Sequence, residues 1–188
     1  MELFANLGEA LMENWTTWLV SVVLVVAAVI DGLQLKVPNW LTYPMILSGW
    51  IYSLTFFGVD GLGLSLLGTA IGLALLLPAY AIGGMGAGDV KLLAGVGAWI
   101  YATHTLLAFG ISAVIGGVMA VVMVSWSGKW RKHLSQFHMI ASEIVTIRDP
   151  EQLATIAADR KSSMMLLPYG IPIAIGTILY FAWNGMLI

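Results

Sequence analysis

Six stretches of this chain are too apolar to be left in water. Residues 15–33, 40–57, 62–82, 90–101, 105–126 and 164–186 run almost free of charge. An apolar helix needs ~20 residues to cross a hydrocarbon layer about 30 Å thick. Six such spans consume roughly 120 residues of a chain of 188. The sequence therefore predicts an all-α integral membrane protein, a bundle of six transmembrane helices, with residues 1–188 as one membrane domain and no large extramembrane domain. Composition agrees: only 10% of residues are charged, against about a quarter in soluble domains. The absence of cysteine removes thiol nucleophiles, disulfide frameworks and cysteine zinc sites.

The fourth run differs from the others. It offers about a dozen residues, or ~18 Å of helix, so it begins below the membrane surface or shares its depth with the glycine-rich backbone before it. The start of this run is the first place to look for chemistry. No basic segment precedes the first run, whose upstream residues include Glu2, Glu9 and Glu13. The run is therefore read as a retained span and not a cleaved signal peptide.

The basic residues set the orientation. All eight fall in three connections: Lys36 after the first run, Lys91 at the start of the fourth, and Lys129, Arg131, Lys132, Arg148, Arg160 and Lys161 between the fifth and sixth. Cytoplasmic loops are enriched in Lys and Arg. These connections are thus expected inside, in the cytoplasmic (inner) membrane, with both termini and the turns at 58–61 and 102–104 outside. In the long connection, Trp130, Leu134, Phe137, Ala141 and Ile144 recur at helical spacing against charged residues, which predicts an amphipathic helix on the cytoplasmic membrane surface. Asp149 then reads as the N-cap of a further helix.

Three acids lie within or beside the spans beyond the N-terminal segment: Asp31, Asp60 and Asp89. Asp60 is flanked by glycines, where Asp is ordinarily turn chemistry. Asp31 stands in an apolar run, where an ionisable group is costly and marks function unless it merely ends the helix in water. Asp89 follows Gly83-Gly84-Met85-Gly86-Ala87-Gly88 and reads either as a helix cap or as a functional acid. The first run heads inward and the fourth outward, so Asp31 and Asp89 share a depth near the cytoplasmic face. A carboxylate pair holding one proton supplies both the base and the acid that peptide hydrolysis by water requires. His104, His133 and His138 are expected in turns or on the surface loop, away from this pair.

These residues resemble a known family. Gly86-Ala87-Gly88-Asp89 matches the GxGD motif of intramembrane aspartic proteases, and Val90-Lys91-Leu92 extends it toward the type IV prepilin peptidases. Asp31, followed by Lys36-Val37-Pro38-Asn39 and Leu41-Thr42, is similar to that family's first catalytic segment, and Pro168-Tyr169-Gly170-Ile171 to its third signature. Presenilin-like proteases have Tyr before the first Asp, where this chain has Ile30. The resemblance implies a catalytic pair, Asp31 and Asp89, and prepilin or pseudopilin precursors as partners, cut after a short basic leader. It implies site-shaping or substrate-binding roles for Lys36, Pro38, Asn39, Gly86, Gly88, Lys91, Pro168, Tyr169 and Gly170. No metal or other cofactor is expected, and lipid is the only further partner, with no nucleic acid. Larger bacterial members carry paired CxxC motifs associated with N-methylation, so this cysteine-free chain is expected to cleave without methylating. In size it is closer to the short peptidases of tight-adherence pili and to archaeal preflagellin peptidases. The alternative is a small proton- or cation-coupled transporter using the same two acids. A metal-dependent hydrolase would lack a third ligand.

The charge distribution makes a topological prediction. Cysteines introduced singly at Ser135 and Asp60 should label from opposite sides of the membrane, Ser135→Cys only when the reagent reaches the cytoplasm. Labelling of both from outside intact cells would break the six-span reading.

Overall fold

The fold is that of a computed structural model, which describes residues 13–81, 83–128, 139, 142, 156 and 167–187. It is all-α. Helix α1 is Trp15–Gln34, α2 is Asn39–Ala81, α3 is Ala87–Ser127 and α4 is Gly170–Trp183. The first three are long and apolar enough to cross a membrane, while α4 is shorter and equally apolar. The amphipathic helix and the Asp149 cap expected between 127 and 163, together with His133 and His138, lie outside the described residues.

Two of the four helices are bent back on themselves. At Gly58, α2 leaves helical geometry (φ 66°, ψ −157°). Beyond it the indole N–H of Trp50 donates to the hydroxyl of Thr69 at 2.9 Å, although 19 residues of straight helix would separate the two by about 28 Å. The arms 39–57 and 59–81 are therefore antiparallel. In α3 the break is at Tyr101 (φ 61°, ψ 179°). The second arm of α2 faces Leu93 at Gly72 and shares a cavity wall with Ala113 at Leu76, so α3 also folds back, into arms 87–100 and 102–127. These reversals correct the expected turns. Each takes one residue, Asp60 lies inside a helix, and residues 102–104 are helical. A non-glycine residue at Tyr101's dihedrals costs ~1–3 kcal/mol. Contacts on both sides hold it: its carbonyl accepts from the Thr105 hydroxyl at 2.6 Å, and its own hydroxyl lies 3.5 Å from that of Ser53.

Contacts give the direction of every segment. Asn39 meets Lys91 and Met45 meets Trp99, so the first arms of α2 and α3 are parallel. Gly68 meets Gly97 and Gly72 meets Leu93, which makes the second arm of α2 antiparallel to the first arm of α3. Helix α4 runs antiparallel both to the second arm of α3, through Ser112 and Ile173, and to α1, through Asp31 and Gly170 at one end and Thr17 and Met186 at the other. Helical segments consecutive in the sequence thus alternate in direction among the described residues. The first arm of α3 sits at the centre, and residues 92–100 are buried without interruption. A helix apolar on every face is stable only in such a position.

Small residues permit the central packing. A Cβ on Gly97 would collide with the backbone of Gly68, and one on Gly68 with that of Gly97; beside them the Ser65 hydroxyl donates to the Ala98 carbonyl at 2.5 Å. Close backbone approach of this kind is what membrane helices use in place of a hydrophobic driving force. At the opposite end from the Asn39–Lys91 contact, Tyr52 and Trp99 stack with their rings 5.2 Å apart, and Trp15 meets both edge-on.

Gly97→Ala should lower unfolding stability in detergent by ~1–3 kcal/mol, the usual cost of overpacking a filled core. Gly110→Ala, whose Cβ would meet nothing within 4 Å, should be neutral or stabilising by up to ~1 kcal/mol from helix propensity. Equal effects from the two would mean that the Gly68–Gly97 crossing is not close-packed.

Candidate active site

Three helix ends converge where the chain enters and leaves the first arms. Asp31 occupies the last turn of α1, which closes with Leu35 in the left-handed region (φ 52°) and its N–H donating to the Asp31 carbonyl at 2.7 Å. The link through Lys36, Val37 and Pro38 leads at once into α2, whose first turn bonds to the Pro38 carbonyl through the N–H groups of Leu41 and Thr42. Trp15, a residue type that settles at membrane interfaces, lies 16 residues before Asp31, or ~24 Å of helix. That length is about one helical turn short of a hydrocarbon layer of ~30 Å.

The Asp31 side chain is 2% exposed. It accepts a hydrogen bond at 2.7 Å from the backbone N–H of Gly170, the first residue of α4. Helix starts leave N–H groups without intrahelical partners, and here an acid 139 residues away satisfies one of them. Glycine eases the fit, since a Cβ at Gly170 would lie 3.0 Å from both Cβ and Oδ2 of Asp31, closer than most side-chain contacts.

Asp89 is 5% exposed and is the third residue of α3. The cap position belongs to Gly86, whose N–H donates to Asp89 Oδ2 at 3.1 Å. The capping role considered from sequence is thus present, but the carboxylate reaches back to the cap from inside the helix. One residue earlier, Gly88 packs against the α1–α2 link so tightly that a Cβ would overlap the Val37 carbonyl. Met85, beside the Gly86 that holds Asp89, lines one cavity with Tyr169, the residue at the N-cap of α4 and the neighbour of the Gly170 that holds Asp31. The segments that hold Asp31 and Asp89 therefore border one space. Among the described residues they are the only charged side chains that are buried.

Other sequence-derived candidates surround this centre. The Lys91 ammonium donates to Asn39 Oδ1 at 3.0 Å and stands 4.7 Å from the centroid of the Tyr43 ring, so it ties the starts of α2 and α3 together. Pro38 and Pro168 are half-buried at the ends of their links, and the Pro168 carbonyl accepts from the Ile171 N–H at 3.2 Å. Lys36 is exposed on the link. His104, expected in a solvated turn, is instead helical and hydrogen-bonded to the hydroxyl of buried Tyr180, at the other end of α4. Reasoning from sequence missed Met85, which is buried in the glycine-rich link and read only as packing. Among the described residues no group of three His, Cys, Asp or Glu is placed to hold a metal. The chemistry this arrangement offers is that of two sequestered carboxyl groups.

Residues 18–121 match the model of the type IV leader peptidase family, a stretch that contains both aspartates and ends before Tyr169. Over 115 residues the chain is 30% identical to the prepilin leader peptidase/N-methyltransferase of Aeromonas hydrophila, which covers 57% of this chain and 38% of that protein. The chain thus matches well under half the length of this relative. No solved structure matches.

The Gly170 contact separates two substitutions at one acid. Asp31→Asn retains an oxygen acceptor and should leave stability near that of the unmodified protein. Asp31→Ala strands a buried N–H and should cost ~1–3 kcal/mol, measured by unfolding in detergent. Equal stability of the two variants would show that the first-to-last helix bond does not support the fold.

Proposed function

The chain belongs to the type IV leader peptidase family, and on that footing we propose that it is a membrane-embedded aspartic endopeptidase. Its substrates are prepilin or pseudopilin precursors, cut after the leader at the cytoplasmic face of the inner membrane. One observation carries this reading: the two acids singled out by sequence are the buried charged residues among those described, and the backbone groups that hold them adjoin Met85 and Tyr169, which wall one cavity. Burial of one unpaired carboxylate costs several kcal/mol. Two that share a proton halve the charge, and the same state equips them for catalysis.

In the proposed mechanism the ionised carboxylate takes a proton from water as the water oxygen bonds to the scissile carbonyl carbon. The protonated carboxyl gives its proton to the carbonyl oxygen, which produces a neutral tetrahedral diol. The first group, now protonated, then passes its proton to the departing nitrogen as the C–N bond breaks. The second recovers a proton from the diol hydroxyl. Water is consumed, a carboxylic acid and an amine are released, and the pair returns to its starting state. The Gly170 N–H holds Asp31 in orientation, and the Gly86 N–H does the same for Asp89.

The finer parts of the proposal rest on sequence. All six apolar segments cross the membrane, with the Lys- and Arg-bearing connections inside and both termini outside. The leader is removed without methylation of the new N-terminus, since the sequence has no cysteine from which to build paired CxxC motifs. The transport alternative finds little support: outward of Asp89 the central arm is closed by continuously buried residues, from Leu92 to Ile100, that are apolar or glycine.

Asp31→Asn and Asp89→Asn should each abolish cleavage of a pilin precursor by purified protein, a loss of at least ~100-fold, while the protein remains folded. Chelators should leave the rate unchanged. Near-normal cleavage by either variant would remove that aspartate from the mechanism, and a strict need for added divalent metal would move the protein to another class of hydrolase.

A further inference from the structure

A largely apolar cavity of about 320 Å³ lies against the segments that hold the two acids. Its inner end is walled by Met85, from the link whose Gly86 holds Asp89, and by Tyr169, the neighbour of the glycine that holds Asp31. From there it extends outward between Leu76 on the second arm of α2 and Phe109, Gly116 and Gly117 on the second arm of α3.

The two glycines are unlike those at the core crossings. A Cβ on Gly116 would rest 3.6 Å from Pro172, an ordinary contact, and one on Gly117 would meet nothing within 4 Å. Neither has a positive φ. Packing therefore does not demand glycine at either place, although alanine favours helix by ~1 kcal/mol. The missing side chains leave open space instead of allowing close approach. That space suits one or two side chains of an extended segment.

Resting on the peptidase reading, we propose that this cavity is a specificity pocket, which holds the apolar side chain that follows the scissile bond of the substrate. The direction of the cavity selects that side of the bond. It runs outward from the level of the carboxylates, as the membrane-bound part of a precursor does, whereas the leader points to the cytoplasm. Its apolar walls select the chemistry.

The test uses two precursors that differ only after the cut, where one carries leucine and the other alanine. The wild-type protein should have a higher kcat/KM for leucine. Gly117→Leu, which fills the cavity, should lower the leucine-to-alanine ratio by about tenfold, the scale on which apolar pockets discriminate, and Gly116→Ala should lower it by less. The ratio discounts a general loss of folded enzyme, and Gly116→Ala keeps the measurement possible if Gly117→Leu does not fold. An unchanged ratio in the folded variants overturns the pocket, as does an equal fall for both precursors, the result expected if a lipid chain occupies the space. If the wild type cuts both precursors, Asp31→Asn cuts neither and the ratio is unchanged, the pocket alone fails. If the wild type cuts neither, or Asp31→Asn cuts both, the peptidase reading fails and the pocket falls with it.

Discussion

The bond from the Gly170 N–H to Asp31 is the closure on which the rest of the structure depends. It joins the first helix to the last, and it does so at a depth where an unmet N–H and an unmet carboxylate would each be costly. Each group answers the other's deficit. The helix start needs an acceptor, the acid needs a donor, and the absence of a side chain at Gly170 leaves them room to meet at 2.7 Å. The same bond sets Tyr169 across one cavity from Met85, in the link that holds Asp89, so one backbone contact helps assemble the end of the bundle where the proposed site lies.

The central arm of α3 supplies the second constraint. Fourteen residues of helix, 87–100, reach ~21 Å, too short for a hydrocarbon layer of ~30 Å. The 83–86 link leads into this arm, and Gly88 at its start packs against Val37. Asp89 is thereby buried beside the link that follows Asp31. The Gly68–Gly97 crossing locks the arm in place, because neither backbone has a side chain to hold the other off.

Much of this was legible in the sequence. The apolar runs fall on the helical segments to within a few residues, except that α4 begins at Gly170 and not at 164. Asp31 and Asp89 stood out because charge inside an apolar run is costly anywhere along the chain. The shape of the reversals was not legible. Gly58 signals a turn, but nothing local marks Tyr101, whose strained dihedrals are held by Thr105 and Ser53. Nor does periodicity reveal a bond between residues 139 apart, or that Gly116 and Gly117 leave space while Gly68 and Gly97 remove it. These are properties of packing, and they exist only once the helices are side by side.

The proposed function requires the two acids to meet, and that meeting can be measured without any substrate. The chain contains no cysteine, so Asp31→Cys and Asp89→Cys can be combined and treated with a crosslinker a single methylene long, with an Asp31→Cys, Asp60→Cys chain as control. A high yield of internal crosslink for the first pair and none for the control is the result predicted here. Failure of the first pair to crosslink in a folded protein, under conditions where each thiol reacts singly, would contradict a shared site and with it the proposed mechanism.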